Sequence, residues 1–306
     1  MKMYKKGLLF AAVLSFLLWH GPGIVYSKST PGPDQPFTPF APAKEHKKIN
    51  DTIVDRLKQR HYLKVVIDDQ FSAKMLSRFL DDLDPGHSYF YDQDIKEFET
   101  KYRLKLDDAL NEGDLEPAFA IFNRYQQRVL DRLDYLIARI EQGFANMKFD
   151  VEETFRTDRK DIPWPNSEAA MDELWRKRLK SNVISLKLAE KSLQEIQKTL
   201  LRRFKNQLQR VQQNSSDDAF EIYINSLAMA IDPHTQYFSP HRTENFNINM
   251  SLSLEGIGAV LRTEDEFTKV VRLIPGGPAE RSNLLKPSDR IVGVAQGEAG
   301  EMLDIV

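Results

Sequence analysis

The sequence predicts a mainly α-helical protein with a smaller β-rich domain towards its C-terminal end. Three observations support this fold class: apolar residues recur at helical spacing through residues 45–230, short apolar runs follow residue 249, and glycine and proline separate those runs. The 306 residues are enough for two domains with a sizeable buried core.

Two amphipathic segments carry the helical prediction. Residues 72–83 and 115–140 each place their apolar side chains along one face of a helix. Pro117 suits the first turn of the longer helix, and Gly143 suits the position after its last turn. The residues expected to face inward are Met75, Leu76, Phe79, Leu80, Leu83, Phe119, Phe122, Val129, Leu133, Leu136 and Ile140.

Breaks in the pattern separate the later helices. Ile162–Asn166 contains two prolines and is expected to be a connector. A helix should begin near Ser167, and another should cover Leu193–Val211. Asn214–Asp217 offers a turn and an N-cap for a helix over Ala219–Ala230. The inward residues of the helix after Ser167 are Met171, Leu174, Trp175 and Leu179.

The C-terminal part is expected to form strands. Met250–Leu254 alternates as a strand would, and Val270–Ile274 and Arg290–Val294 are further β-like runs. Between the last two runs, Pro278 and Ala279 should begin a short helix after a tight turn.

One sequence pattern occurs twice with the same internal spacing. Asp84-Pro85 precedes Tyr89-Phe90, and Asp232-Pro233 precedes Tyr237-Phe238. Each copy follows an apolar helical stretch, so each Asp-Pro should end a helix and each Tyr-Phe should dock the exit onto the core. The histidine inside each turn is expected to be structural.

Composition excludes several classes of function. Lys plus Arg is 43 and Asp plus Glu is 45, so no long-range attraction to nucleic acid is expected. Cysteine is absent, which excludes disulfides, thiolate metal sites and a cysteine nucleophile. The six histidines are scattered and no H-E-x-x-H pair occurs, so a metal site is not expected. No cofactor is expected either. Charged runs such as Arg176–Arg178 are expected to be solvated helix faces.

The N-terminus has the pattern of an export signal. Lys2, Lys5 and Lys6 precede an apolar run from Gly7 to Trp19 that is too short to span a bilayer. Cleavage is expected after Ser27, which predicts localisation in the bacterial periplasm. An uncleaved N-terminal anchor is the alternative.

A glycine-containing segment is the candidate peptide-binding site. Glycine permits positive φ, so several backbone N–H groups can converge on one anion, and an open strand edge beside them can pair with an extended peptide. Together these features would capture a chain terminus. A plain hairpin turn or bulge is the alternative, because the run lacks a full G-x-G-x-x-G pattern. The segment consists of Leu254, Glu255, Gly256, Ile257, Gly258, Ala259 and Val260.

The order of motifs after this segment resembles a PDZ domain. Val271–Ala279 and Leu284–Val294 are similar to the "G-x-P-A" and "G-D-x-I" runs of bacterial protease PDZ domains. Ser288 stands where that pattern has glycine, which leaves the turn geometry open.

The chain as a whole resembles the tail-specific (C-terminal-processing) serine protease family. The D-P-H-T-x-Y motif in Ile231–Pro240 and the S-L-E-G-I-G motif in Ser253–Gly258 carry the resemblance. It extends to Phe71–Lys74 and Ala169–Leu201 and so covers nearly the whole chain after the leader.

The resemblance implies a periplasmic endopeptidase that binds apolar C-terminal tails through its PDZ domain. The family's nucleophile is a serine activated by a lysine base, in a domain that follows the PDZ domain. No residue here can be matched to that serine or lysine, because Val306, the last residue of this sequence, is expected to lie inside the PDZ domain. The isolated chain should then lack peptidase activity and bind C-terminal peptides weakly or not at all. Protein substrates with apolar C-termini and a lipoprotein adaptor are the partners that the resemblance implies.

The sequence leaves two other functions open: a non-catalytic adaptor that binds protein C-termini, and a structural helical protein with an incidental glycine turn. The predicted domains are a signal peptide at 1–27, a disordered tail at 28–44, a helical domain at 45–243 and an incomplete PDZ-like domain at 244–306.

Overall fold

The computed structural model describes residues 37–251, 256–264, 267–295 and 303–304. The chain divides between Ser239 and Pro240 into two compact units. The predicted signal peptide and most of the predicted tail lie outside the described residues.

The described part of the first unit is built from helices. These helices confirm the mainly α-helical prediction. No helix among the described residues is long and apolar enough to cross a membrane. The helices are α1 (Lys44–Arg60), α2 (Asp69–Leu83), α3 (Asp92–Tyr102), α4 (Leu106–Glu112), α5 (Glu116–Glu141), α6 (Glu168–Leu188), α7 (Leu193–Gln212) and α8 (Ser216–Ile231).

Helix α5 joins two hydrophobic cores. Its N-terminal half packs Phe119 and Phe122 with α1, α2, α4 and α8, and its C-terminal half packs Leu133 and Leu136 with α6 and α7. Tyr125 lies between these halves and touches both cores. Every residue predicted to face inward from α2, α5 and α6 is buried, because a 3.6-residue repeat keeps such side chains on one face.

The helix boundaries follow local signals that the sequence shows. Pro117 lies in the first turn of α5, and Gly143 follows its end with φ of +78°. Ser167 caps α6 by accepting a hydrogen bond from the amide of Ala170. Ser215 forms a capping box at the start of α8.

Part of the predicted disordered tail is packed. Phe40 exchanges two hydrogen bonds with the Asn123 side chain, at 2.8 and 2.9 Å. Its ring lies 5.9 Å from that of Phe122, measured between centroids. The prediction of disorder is therefore wrong for residues 37–43. The prediction rested on composition, which is rich in proline and small residues. The ring of Phe40 and its two backbone hydrogen bonds are enough to hold this segment against the core.

Both Asp-Pro turns end helices as predicted. Helix α2 ends at Leu83 and α8 at Ile231, and the amides of Asp84 and Asp232 donate back into the last turn. Phe90 of the first copy is fully buried, and Tyr237 of the second packs partly buried against the same core.

The Asp84 carboxylate organises the first of these turns. It is buried and accepts backbone hydrogen bonds from Ser88, Tyr89 and Phe90 at 2.9 to 3.1 Å. The indole of Trp164 donates a further bond at 3.1 Å. A carboxylate held by several N–H donors fixes the chain direction after the helix, because those donors have no other acceptor inside the core.

The proline-containing connector packs against this turn. His87 stacks on Trp164, with ring centroids 3.6 Å apart, and its Nδ1 lies 2.5 Å from the Ile162 carbonyl. The amide of Asp92 donates to the Pro165 carbonyl at 3.0 Å. The first turn histidine is therefore structural, as predicted, and the connector fixes its position.

Asp94 joins α3 to α5 through a buried ion pair. Its carboxylate bonds Arg124 at 2.5 Å and Arg128 at 2.9 Å, and it accepts the Tyr91 amide at 3.0 Å. Burial works against ionisation, but the hydrogen bonds from Arg128, Tyr91 and Arg124 outweigh it and hold the pKa of Asp94 below its ordinary value of 3.8.

Asp94→Asn should lower the free energy of unfolding at neutral pH by about 2 kcal/mol, because the change leaves two cations without their buried partner. The contribution of a carboxylate with a depressed folded pKa is present above its unfolded pKa. The loss should therefore shrink as the pH falls below 3.8. Urea unfolding over a pH series tests this. The control is Asp92→Asn, which removes an exposed pair with Lys96 and should cost under about 0.5 kcal/mol. Equal losses for both variants at neutral pH would contradict the prediction.

The described part of the second unit combines short strands and helices. Within it, Val270 and Ala279 are the buried apolar residues. Its elements are α9 (Pro240–Ser251), β1 (Ala259–Glu264), β2 (Phe267–Leu273), α10 (Pro278–Ser282), β3 (Arg290–Ile291), β4 (Gly293–Val294) and β5 (Leu303–Asp304).

Two of the three predicted runs contain strands, and the third is wrong where it can be seen. Val270–Ile274 overlaps β2, and Arg290–Val294 is split into β3 and β4. Met250 and Ser251 end helix α9, and Leu252, Ser253 and Leu254 lie outside the described residues. Alternation over five residues cannot exclude a helix end, because Phe246 and Met250 are also four apart and share a helical face.

Candidate functional site

The candidate site lies where the glycine segment enters an antiparallel sheet. The sheet order is β1-β2-β3, which makes β1 an edge strand among the described residues. Ala259 pairs with Leu273 and Val260 with Arg272, and the register shifts after Val260. Val271 of β2 is the extra residue at this shift, so the bulge bends β2 opposite the start of β1.

Gly258 is required by its backbone conformation and by its surroundings. Its φ is +74°, in the left-handed region that favours glycine. A Cβ there would lie 2.9 Å from Cδ of Pro278 and 3.0 Å from Cα of Gly277. The strand entrance can therefore approach the start of α10 only with glycine at this position.

Two backbone hydrogen bonds hold the glycine turn. The carbonyl of Ile257 accepts from the amide of Ala279, and the carbonyl of Gly258 accepts from Ile274, both at 2.8 Å. Gly256 and Ile257 remain exposed, and Ile257 has 44% of its surface accessible. The turn is thus anchored on its carbonyl side and reachable from solvent.

The structure covers five of the seven predicted site residues. Leu254 and Glu255 lie outside the described residues. Gly256, Ile257 and Gly258 form the turn, and the last two candidates begin β1. The five form one continuous stretch that leads into the edge strand, and those last two, Ala259 and Val260, are half-buried.

Ser288 adopts the conformation that the related pattern assigns to glycine. Its φ is +76°, while its amide donates to Val270 and the Val270 amide donates to Asp289, both at 2.8 Å. The turn therefore forms although serine replaces the glycine of the related pattern. The positive φ has a conformational cost for serine, because this residue carries a Cβ.

Ser288→Gly should stabilise the second unit by about 0.5 kcal/mol. Glycine removes the strain that serine has in the left-handed region, and this gain exceeds the cost of the larger conformational entropy of glycine in the unfolded chain. Hydrogen exchange at the Val270 amide measures this. Ser282→Gly is the matched control, because Ser282 lies in the right-handed helix α10 and glycine should destabilise that helix. Faster exchange at Val270 in the Ser288 variant would contradict the prediction.

A second cluster of charged side chains lies in the helical unit, and the sequence patterns do not predict it. Lys180 is buried and its Nζ lies 2.5 Å from Glu153, which also bonds Arg176. Arg176 was expected on a solvated face, but it pairs with two acidic residues. The residues that meet here are far apart in sequence, so no local pattern could indicate the cluster. Among the described residues, no group of His, Asp and Glu could hold a metal ion.

The architecture defines a mainly α-helical protein whose helical unit is followed by a small β unit with an edge strand and a glycine turn. The tail-specific protease N-terminal domain matches residues 53–241. "Tail-specific protease" of Haemophilus influenzae is 39% identical over 251 residues, which is 82% of this chain and 36% of that protein. "Carboxy-terminal processing protease CtpA" of Bacillus subtilis is 36% identical over 78 residues, 26% of this chain and 16% of that protein.

This chain belongs to the tail-specific protease family. It spans about a third of the length of the Haemophilus relative and a smaller share of the Bacillus relative.

Proposed function

We propose that the chain is the N-terminal part of a tail-specific serine endopeptidase that captures apolar C-terminal tails of periplasmic proteins. The observation that carries this proposal is the exposed glycine turn at the head of an edge strand, in a chain of this family. The catalytic residues of such an enzyme are not assigned to any position here.

The geometry of the turn supports tail capture. An extended peptide would add a strand along the edge of β1 that no described strand covers, and its terminal carboxylate would reach the backbone N–H groups of Gly256–Gly258. The carbonyls of Ile257 and Gly258 accept hydrogen bonds from the amides of Ala279 and Ile274. These carbonyl oxygens therefore do not point at the bound carboxylate, which they would repel. Ile257 and Leu261 are exposed apolar residues beside this path, which favours apolar tails.

Fluorescence anisotropy with a labelled peptide that ends in apolar residues tests the proposal. The protein should be expressed from its complete reading frame, including any codons beyond 306. The free acid should bind at least about tenfold more tightly than the same peptide with an amidated C-terminus, because the carboxylate makes charge-assisted hydrogen bonds. Equal affinities for the two peptides would contradict tail recognition.

Export to the periplasm is part of the proposal. It is supported by the basic and apolar pattern of the first residues. N-terminal sequencing of the protein recovered from a periplasmic extract should begin at Lys28. A protein that keeps Met1 and sediments with membranes would instead indicate the uncleaved anchor.

A further inference from the structure

The helical unit contains a cavity that the tail-recognition proposal does not use. Its volume is about 400 Å³, and it lies between the end of α5, the segment that follows α5 and helix α6. Leu136, Phe144, Trp175 and Leu179 give it an apolar wall. Its size falls in the range of pockets that bind small organic molecules.

The charged side chains around the cavity are mostly cationic. Arg139, Lys148, Arg176 and Lys180 line it together with one carboxylate, that of Glu153. Hydrogen bonds from Arg176, and then from Lys180, lower the pKa of Glu153 to about 2, so this carboxylate is ionised at neutral pH. Because Glu153 contacts these two bases directly, its negative charge is already compensated within the wall.

Two of the cations are available to a ligand. Arg139 and Lys148 form no ion pair within the described residues, and both are exposed. Each nevertheless contributes to the cavity lining. A ligand seated on the apolar wall would therefore place an anionic group within reach of two positive charges at the rim.

We propose that this cavity binds a small apolar carboxylate, with its hydrocarbon part against Trp175 and Leu179 and its carboxylate between Arg139 and Lys148. A highly charged anion such as inorganic phosphate would leave the apolar wall without a partner. A neutral hydrocarbon would leave the two cations unused. The chemistry could be presented by a medium-chain fatty acid or by the terminal residues of a peptide.

Isothermal titration calorimetry of the 306-residue chain tests this site. Decanoate and N-acetyl-leucyl-leucine serve as probes for the two sources, and decanol serves as the uncharged control. We expect saturable binding of at least one acid and at least about tenfold weaker binding of decanol. Absence of saturable binding by both acids at millimolar concentration would overturn the proposal.

Charge variants locate the binding. The double variant Arg139→Gln/Lys148→Gln should bind the acid about tenfold more weakly. The control variant Lys48→Gln/Arg56→Gln removes the same charge from α1 and should bind the acid with unchanged affinity. Val151 lines the cavity and is 49% exposed, so Val151→Glu should repel the acid while Val151→Gln should not. Unchanged affinity in both the Arg139/Lys148 pair and Val151→Glu would overturn the proposal.

The cavity is lined by residues of the helical unit and the glycine turn belongs to the second unit, and one variant distinguishes binding at the two. Gly258→Ala lies in the second unit and should leave decanoate binding unchanged. Loss of decanoate binding in that variant would assign the heat to the glycine turn and overturn the cavity proposal.

Discussion

Asp84→Ala is expected to destabilise the helical unit by about 4 kcal/mol. The change would leave three backbone amides, two of them buried, and the Trp164 indole without their acceptor. Each unpaired buried donor costs about 1–3 kcal/mol, although the costs are not additive. Asp84→Asn should cost less, because one carbonyl oxygen remains while the new NH₂ group faces other donors.

The second Asp-Pro turn supplies a matched control. Asp232 accepts a hydrogen bond from the hydroxyl of Thr235 at 3.1 Å and interacts with the Tyr62 side chain and the His234 amide. Tyr62 is 72% exposed, so these donors can turn to water, and Asp232→Ala should cost about 1 kcal/mol. Urea unfolding followed by tryptophan fluorescence reports on the helical unit, which contains Trp164. Similar losses at both turns would contradict the special role of Asp84.

Gly258→Ala is expected to destabilise the second unit by about 3 kcal/mol. The left-handed backbone costs alanine about 1–2 kcal/mol, and the added Cβ meets the ring of Pro278 and the backbone of Gly277. Relief of this clash would move the turn away from the start of α10 and disturb the entrance to β1. Affinity for free-acid peptides should therefore fall by at least about tenfold in the complete protein.

Gly256→Ala is the matched control for this prediction. Gly256 has no described atom within 4 Å of an added Cβ. The variant should therefore keep both hydrogen-exchange protection at Val270 and peptide affinity. If the Gly256 variant loses affinity as strongly as the Gly258 variant, the distinction drawn from the turn geometry is wrong.

Periodic helices could be predicted closely from sequence. The stripe on α5 was assigned to within a residue of its observed end at Glu141, and all its predicted inward residues are buried. Burial of one helical face requires a repeat that sequence displays directly. Helix α9 was missed because its apolar residues are few and its neighbours alternate like a strand.

Long-range polar contacts could not be predicted in the same way. The Asp-Pro pattern indicated a helix end, yet nothing local shows that Trp164 would donate to Asp84. The same holds for Lys180 and Glu153, which meet through tertiary packing. Buried charged side chains acquire partners from the fold, so their pairing has no signature in spacing.

The sequence predicts the glycine turn of the candidate site, but it does not predict the residues that pack against this turn. The pattern Gly-Ile-Gly indicated positive φ, and Gly258 has it while Gly256 does not. The close approach to Gly277 depends on how β2 leads into α10, which spacing alone does not specify. Ser288 shows the converse case, because the turn forms at positive φ without the expected glycine.

Amide chemical shifts of the complete protein test the central claim most directly. On titration with a free-acid apolar peptide, the N–H resonances of Gly256, Ile257 and Gly258 should move together, and the amidated peptide should leave them in place. Such a result would place the terminal carboxylate among these backbone donors. Shifts confined to other residues, or identical shifts with both peptides, would contradict it.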